Sequence, residues 1–409
     1  MTLDDAIAMD AADPLRAMRE RFVLPDNVIY LDGNSLGALP RTTAVRVAEA
    51  VTLQWGDGLI RSWNRHDWIG AAKRVGGRIA PLIGAEPGEV IVADSTSVNL
   101  YKLIVAALKA RPGRHTILSE PGNFPTDLYV ADGAAWSVGD AQVRTLPVAE
   151  IVAAIDDDTA IVMLTHVHYK SGAMLDMAAI TAAAQAKGAL VLWDLSHSVG
   201  AVPVDLNGCN ADLAVGCGYK YLNGGPGAPA FLYVAERHHA ALRSPLSGWM
   251  GHAAPFDFED GYAPANDIGR FQCGTPPILA LAALEEGVAL FDEVAFDTLV
   301  AKSRQLSDAY IALVEARCGD QGFTLVSPRD AVRRGSHVSF AHPQAYAICQ
   351  VLIDRGVIGD FRAPDVLRMG FTPLYTGFAD VWRAVEILRD VMVTGAWDAP
   401  AYHARNAVT

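Results

Sequence analysis

Cysteine is scarce in this chain: five in 409 residues (Cys209, Cys217, Cys273, Cys318, Cys349), an odd number with no CxxC spacing. Such usage fits neither a disulfide framework nor a cysteine zinc site, and a reducing, cytoplasmic setting is the expectation. Long hydrophobic runs are missing too. The richest, 277–290, is interrupted by Glu285 and Glu286 and falls short of the roughly 18 apolar residues a membrane-spanning helix needs. The first residues are acidic and broken by Pro14, without the positive start and apolar centre of a secretion signal. Positive charge is in deficit, with 33 Lys and Arg against 46 Asp and Glu, a net −13. No basic run suggests a nucleic-acid or anionic-membrane surface, although a local cationic pocket is compatible with that total. With 51% hydrophobic and 19% charged residues, the composition excludes disorder, collagen and coiled coil. At about 150 residues per domain, the length suggests two or three domains.

What is present is an alternation. Ala44, Val47, Ala48, Val51 and Trp55 recur at helical spacing after Pro40 and predict an amphipathic helix. The apolar run 89–93 predicts a strand, followed by the polar turn 94–97 and a helix from Val98 to about Ala110. The pattern returns with a strand at 160–164, a helix at 177–187 ended by Gly188, and a strand at 189–193; further strands are expected at 212–215 and 228–234. Continuous apolar strands alternating with helices imply βαβ units and a mostly parallel sheet covered on both faces. From about Val294 the texture changes to a long helix, alternating strands near 323–326 and 337–340, a helix over 345–355 and a last one after Phe378. The expected fold class is therefore α/β: a large domain at 46–293 with a mostly parallel sheet covered by helices, and a smaller α+β domain at 294–409 which the segment 1–45 joins. No internal repeat or low-complexity linker is visible.

Ligands in open α/β sheets sit beyond the carboxyl ends of the parallel strands, so polar residues directly after apolar runs are the candidates. Ser95-Thr96-Ser97 opens a helix and offers hydroxyls, backbone N–H groups and the positive helix end to a phosphate. An ordinary helix cap has the same sequence. Asp194 ends an apolar run and precedes Ser196 and His197. A carboxylate there needs a cationic partner, a protonated ring nitrogen being one and a salt bridge or helix cap the alternatives. Lys220 lies in GCGYKYLNGGPG, residues 216–227, between two expected strands. A lysine in such a partly apolar setting becomes nucleophilic enough to bond an aldehyde. Lysine for the aldehyde, aspartate for the pyridinium nitrogen and a helix start for the phosphate together match what pyridoxal 5'-phosphate requires.

Five motifs sharpen this reading: Tyr30-Leu-Asp-Gly-Asn-Ser-Leu-Gly37, Phe124-Pro-Thr-Asp127, Trp193-Asp-Leu-Ser-His197, Gly218-Tyr-Lys-Tyr-Leu-Asn223 and Phe271-Gln-Cys-Gly-Thr-Pro-Pro277. Their order, from about residue 15 to 395, closely resembles the bacterial kynureninase family. The lysine motif alone indicates only the aspartate-aminotransferase-like superfamily, and the GNSLG and TPP segments narrow it. The resemblance implies a hydrolase of tryptophan catabolism that cleaves the Cβ–Cγ bond of L-kynurenine to give anthranilate and L-alanine, working as a homodimer with shared active sites. It implies that Lys220 bonds the cofactor aldehyde, Asp194 pairs with the ring nitrogen and Phe124 stacks on the ring. Thr96, Ser97 and Tyr219 contact the phosphate, with Trp249 and Thr275 reaching it from the second subunit, while Asp127, Thr165 and His197 complete the cofactor shell. Arg368 holds the substrate carboxylate, and a planar guanidinium suits that task bidentately. Asn34, Ser35, His66 and Gly274 surround the aryl group, and Tyr219 is the candidate proton shuttle. Gly274 offers no side chain to a ring 3-hydroxyl, so L-kynurenine is expected to be preferred over 3-hydroxy-L-kynurenine.

Rival readings remain at this point. A cysteine desulfurase shares the fold and the lysine but needs a mobile thiol after it, whereas Cys318 ends a helix and Cys349 sits in an apolar run. A non-catalytic pyridoxal-phosphate-binding regulator would keep the cofactor and show no turnover, although no attached DNA-binding segment supports it. Gly33-Asn-Ser-Leu-Gly37 also fits the G-x-S-x-G elbow of serine hydrolases, which needs a core strand before the serine and a helix directly after it. Pro40 interrupts here. His166, His168, His197, His238 and His239 lack metal-ligand spacing, and no metal is expected.

Overall fold

The computed structural model describes residues 1–405. Its centre is a seven-stranded sheet in the order Val90–Val92, Phe231–Val234, Leu213–Gly216, Leu190–Asp194, Thr159–Thr165, Thr116–Ser119, Gln142–Thr145. Phe231–Val234 runs antiparallel to both neighbours and the other pairings are parallel. The expected large, mostly parallel sheet is thus present.

The continuous apolar runs are explained by burial on both faces. Along Leu190–Asp194, Val191 and Trp193 enter one core while Leu190 and Leu192 enter the opposite one. Each face of the strand is covered, so neither alternate position is free to be polar. Two strands of this sheet escaped the sequence reading: Thr116–Ser119, and Gln142–Thr145, an edge strand whose residues are half-buried or exposed and largely polar.

A second, four-stranded antiparallel sheet has the order Thr324–Leu325, His337–Ala341, Val366–Gly370, Asp360–Arg362. It shares a separate core with the helices Phe296–Cys318, Ala345–Asp354 and Phe378–Thr394. The N-terminal segment reaches both cores. Leu15, Met18 and Phe22 enter the larger one, whereas Ala6 and Leu31 enter the smaller and Ile29–Tyr30 pairs in parallel with Val357–Ile358.

The helix after Pro40 forms, as Arg41–Glu49 continued by a widened turn to Asp57, but the apolar stripe does not face the core. Trp55, Val51, Ala44 and Ala48 are exposed, and Thr43, Ala50 and Gln54 are the buried residues. The opposite side packs on the helix Ile278–Ala289, leaving the stripe without a partner in this chain.

Candidate active site

Four carboxyl ends of parallel strands converge. Val90–Val92 leads into the turn at 94–97 and Thr159–Thr165 ends on Thr165; Leu190–Asp194 ends on Asp194, and Leu213–Gly216 leads into the lysine segment. One cavity is lined by Thr96, Ser97, Phe124, Thr126, Asp127, Thr165, Tyr169, Asp194, Ser196, His197, Tyr219 and Lys220. Nine candidates drawn from five separate stretches of sequence therefore meet in one place. Thr126, Tyr169 and Ser196 were not singled out; Thr126 and Ser196 lie inside quoted motifs, but nothing in the sequence marks Tyr169.

Lys220 Nζ stands 3.4 Å from His197 Nε2 and 5.9 Å from the centroid of the Phe124 ring. Burial, reinforced by the Lys220 charge, holds the His197 imidazole well below the usual histidine range, so it is neutral. Asp194 accepts the Ser196 N–H at 2.7 Å. Asp127, also buried, is pushed well above the usual carboxylate range by burial and then by the Asp194 charge. Its Oδ2 has no hydrogen-bond partner. Two buried carboxyl groups with an unsatisfied oxygen suit a cationic ring nitrogen, while the hydroxyls of Thr96 and Ser97 at the start of the 15-residue helix Thr96–Ala110 suit a phosphate. The residues present fit pyridoxal phosphate. Among the described residues no group of three or more His, Cys, Asp and Glu is placed to hold a metal ion.

The GNSLG segment is held against the lysine by its glycines. Gly37 N donates to Tyr219 O at 2.8 Å, and a Cβ at Gly37 would stand 2.4 Å from the Lys220 carbonyl. At Gly33 a Cβ would meet Thr372 Oγ1 at 2.1 Å. These glycines permit close backbone approach, and the segment is not a strand-to-helix elbow. Asn34 is buried with both side-chain amide atoms unpartnered. Ser35 donates to Asp360 Oδ2 at 2.8 Å.

Arg368 does not line the cavity, and its bidentate edge is not free. Arg368 and Asp360 stand opposite each other on neighbouring strands. Nε donates to Asp360 Oδ1 at 2.8 Å and Nη2 bonds Oδ2 and Ser35 Oγ. Nη1 donates to the carbonyl of Tyr169, which does line the cavity. Burial alone would raise the Asp360 carboxyl, but the Arg368 guanidinium outweighs it and brings it down to about 2. Arg362 adds a second guanidinium, 2.7 Å from Asp360 Oδ2. Sequence reasoning missed Asp360 and Arg362 because a charged strand resembles a solvated loop.

Trp249, Thr275, Gly274 and His66 stand apart from the cavity. Trp249 lines a separate hollow with residues of 247–262, and Gly274 and Thr275 line another beside Asp94. His66 closes the short helix Ser62–Arg65.

A model of the kynureninase C-terminal domain matches residues 299–388, and one of the DegT/DnrJ/EryC1/StrS aminotransferase family matches 84–212. Kynureninases of Burkholderia pseudomallei (strain 1106a) and Pseudomonas fluorescens are 52% and 50% identical over 414 residues, covering all of both chains. Among solved structures, a cysteine desulfurase from Thermococcus onnurineus NA1 superposes with a TM-score of 0.79 at 18% identity, covering 92% of this chain and 98% of that one. A cysteine desulfurase from Escherichia coli gives 0.75 at 19%, covering 93% and 98%. At such identities the likeness shows the fold alone. The desulfurase reading is also disfavoured inside the chain, since Cys318 and Cys349 are buried and burial pushes both thiols up, Cys318 to about 11. By its full-length similarity to the curated relatives, the chain belongs to the kynureninase family.

Proposed function

We propose that the cavity binds pyridoxal 5'-phosphate and that the chain hydrolyses L-kynurenine to anthranilate and L-alanine, as a pyridoxal-phosphate-dependent hydrolase of a carbon–carbon bond. The observation that carries this reading is the meeting of Lys220, Asp194 and the Thr96-Ser97 helix start in one cavity. When bound, the cofactor supplies an electron sink next to the substrate Cα. Lys220 would hold the cofactor aldehyde, and its freed amine would be the base that takes the substrate α-hydrogen. Asp194 would keep the ring nitrogen protonated, and Asp127 would share the site with its own proton held more tightly than an ordinary carboxyl's. Phe124 would stack on the ring, Thr165 and His197 would complete its surroundings, and Thr96, Ser97 and Tyr219 would hold the phosphate. The neighbouring Cys217, with burial, pushes the Tyr219 phenol up, so Tyr219 keeps its proton at rest, the form from which a proton shuttle beside Lys220 would start.

Arg368 and Arg362 set two guanidiniums against the single committed carboxylate of Asp360. That excess of positive charge, behind Tyr169, suits the substrate α-carboxylate. Trp249 and Thr275 would reach the phosphate from a second copy of the chain, while Asn34 and Ser35, in the segment packed against Lys220, would face the aryl group together with His66 and Gly274. A homodimer in a reducing, cytoplasmic setting, with the small domain beginning near residue 294, completes the reading.

Two experiments test it. Borohydride reduction of the yellow holoenzyme should fix the cofactor on the peptide containing Lys220; a label on Lys170 or Lys102 overturns the site. A spectrophotometric assay should show loss of L-kynurenine with the rise of anthranilate fluorescence. For the ring preference, Gly274 has no side chain, and apart from its chain neighbours nothing in its own chain lies within 4 Å of where a Cβ would be. A 3-hydroxyl bound without a partner costs roughly 1–3 kcal/mol, so L-kynurenine should win by about tenfold in kcat/KM. Faster turnover of the hydroxylated substrate in direct competition would contradict the pocket argument while leaving the reaction class intact.

A further inference from the structure

Beneath the phosphate turn lies a buried ammonium that the reaction does not use. Lys102 is fully buried in the helix Thr96–Ala110. Its Nζ bonds the carboxylate of Asp94, Asn99 Oδ1 at 3.2 Å and the carbonyl of Phe271 at 2.7 Å, so its three protons are committed. Asp94 opens the turn with φ +47°, a conformation aspartate tolerates better than most residues but which needs holding. The neighbouring bonds hold it too: Asn99 Nδ2 donates to Ala93 O at 2.7 Å, and Ala230 N donates to Asp94 O at 2.9 Å. Phe271 leads into the segment 272–277, which faces Asp94 across a hollow.

We propose that Lys102 is a positioning residue that locks the phosphate-binding turn in register with the segment 271–277 and neutralises Asp94 beneath the bound phosphate. The proposal rests on the reading of Thr96 and Ser97 as the phosphate site. Two effects follow from the geometry. The turn keeps its N–H groups and hydroxyls aimed at the cavity because Asp94 is tethered to the helix Thr96–Ala110, whose buried face is packed into the core. The tether also removes a repulsion, since an uncompensated carboxylate a residue or two from a phosphate dianion disfavours the bound state. Because the same ammonium holds Phe271 O, phosphate occupancy and the order of 271–277 are linked, and such linkage is reciprocal.

The test compares the rate of cofactor loss from holoenzyme variants on dialysis, followed by absorbance, with hydrogen exchange of 271–277 in the loaded and depleted protein. Lys102→Met should lose cofactor about tenfold faster, the scale of one lost charge-assisted bond. Adding Asp94→Asn to it should recover part of that loss by removing the stranded charge, a rescue that a purely structural role for Lys102 would not produce. In the wild-type chain the cofactor should slow exchange at 271–277, and in Lys102→Met it should slow it less at Phe271 and Gln272, beside the lost bond to Phe271 O, the protection near Thr275 being the partner phosphate's own. Should Lys102→Met fail to fold, Asp94→Gly cuts the same tether at a φ glycine adopts freely and should show the same rapid loss, with Asp94→Asn alone close to wild type. Wild-type retention in Lys102→Met or Asp94→Gly, or a double variant no better than the single, overturns the proposal. Thr96→Ala separates the two readings. If it leaves cofactor retention unchanged, the phosphate site itself is wrong; if it speeds loss while Lys102→Met does not, only the role of Lys102 falls.

Discussion

Arg368 is the residue at which sequence and structure differ most instructively. A substrate-binding arginine is expected to present a free fork, yet Arg368 spends its fork on Asp360 and passes only Nη1 toward the cavity wall at Tyr169. Arg368→Lys therefore removes two things at once, the planar fork that Asp360 grips and the charge placement behind Tyr169. The expected result is a raised KM, with kcat/KM lowered by about 2–3 kcal/mol. Asp360→Ala should do the same through loss of orientation; unchanged kinetics in both variants would move the carboxylate anchor elsewhere. Beside this pair, burial and the Asp360 charge push Asp32 up to about 7, and its Oδ1 has no partner. The folded chain thus keeps a proton that the unfolded chain, at an ordinary 3.8, gives up. That contribution is complete below about pH 4 and is lost as pH rises toward about 7. Urea unfolding at pH 5 and pH 8 should show the loss, and Asp32→Asn should flatten it; an unaltered pH slope in that variant would assign the dependence to another group.

Elements here are held by partners distant in sequence. The helix Phe378–Thr394 begins at Gly377, which has no side chain to cap it, and Asp10 from the first helix accepts the N–H groups of Phe378 and Ala379 at 2.6 and 3.0 Å. Asp10→Ala should cost about 1 kcal/mol of stability, in the range of lost helix caps, with Asp10→Asn losing less; a midpoint unchanged in thermal unfolding would show that water replaces the cap. The same distance in sequence sets what could be read beforehand. Strands such as Leu190–Asp194 were legible because burial on both faces leaves an unbroken apolar run. Gln142–Thr145 was not, since an edge strand carries no such run, and Asp360–Arg362 was hidden because its buried carboxylate is compensated by Arg368 across the sheet as well as by Arg362 within the strand. The cavity residues were legible as motif members next to strand ends, whereas Tyr169 contributes by position alone. The Arg41–Asp57 helix was legible as an element, but periodicity reveals an apolar face and not what covers it.

At the scale of the whole molecule that uncovered face is the clearest unmet demand. Between Val45 and Ile60 the chain exposes Val45, Val51, Leu53, Trp55, Leu59 and Ile60, with Ile60 78% and Trp55 57% accessible. A run of large apolar side chains at this density is uncommon on a monomer's surface and marks an interaction site. A second copy of the chain is the occupant proposed, because Trp249, Gly274 and Thr275 stand outside their own chain's cavity and the proposed site takes Trp249 and Thr275 from a partner. Placing charge on the face should separate the copies. For Ile60→Asp combined with Trp55→Glu, sedimentation should shift from dimer toward monomer, and cofactor retention should fall with it, since the phosphate loses the contacts from Trp249 and Thr275. Dissociation and cofactor loss should follow the same dependence on protein concentration, as linked equilibria require. A variant that stays dimeric would place the interface elsewhere. A monomer that holds its cofactor as firmly as the wild type would show that each chain's site is complete on its own, and the assignments of Trp249 and Thr275 would then fall.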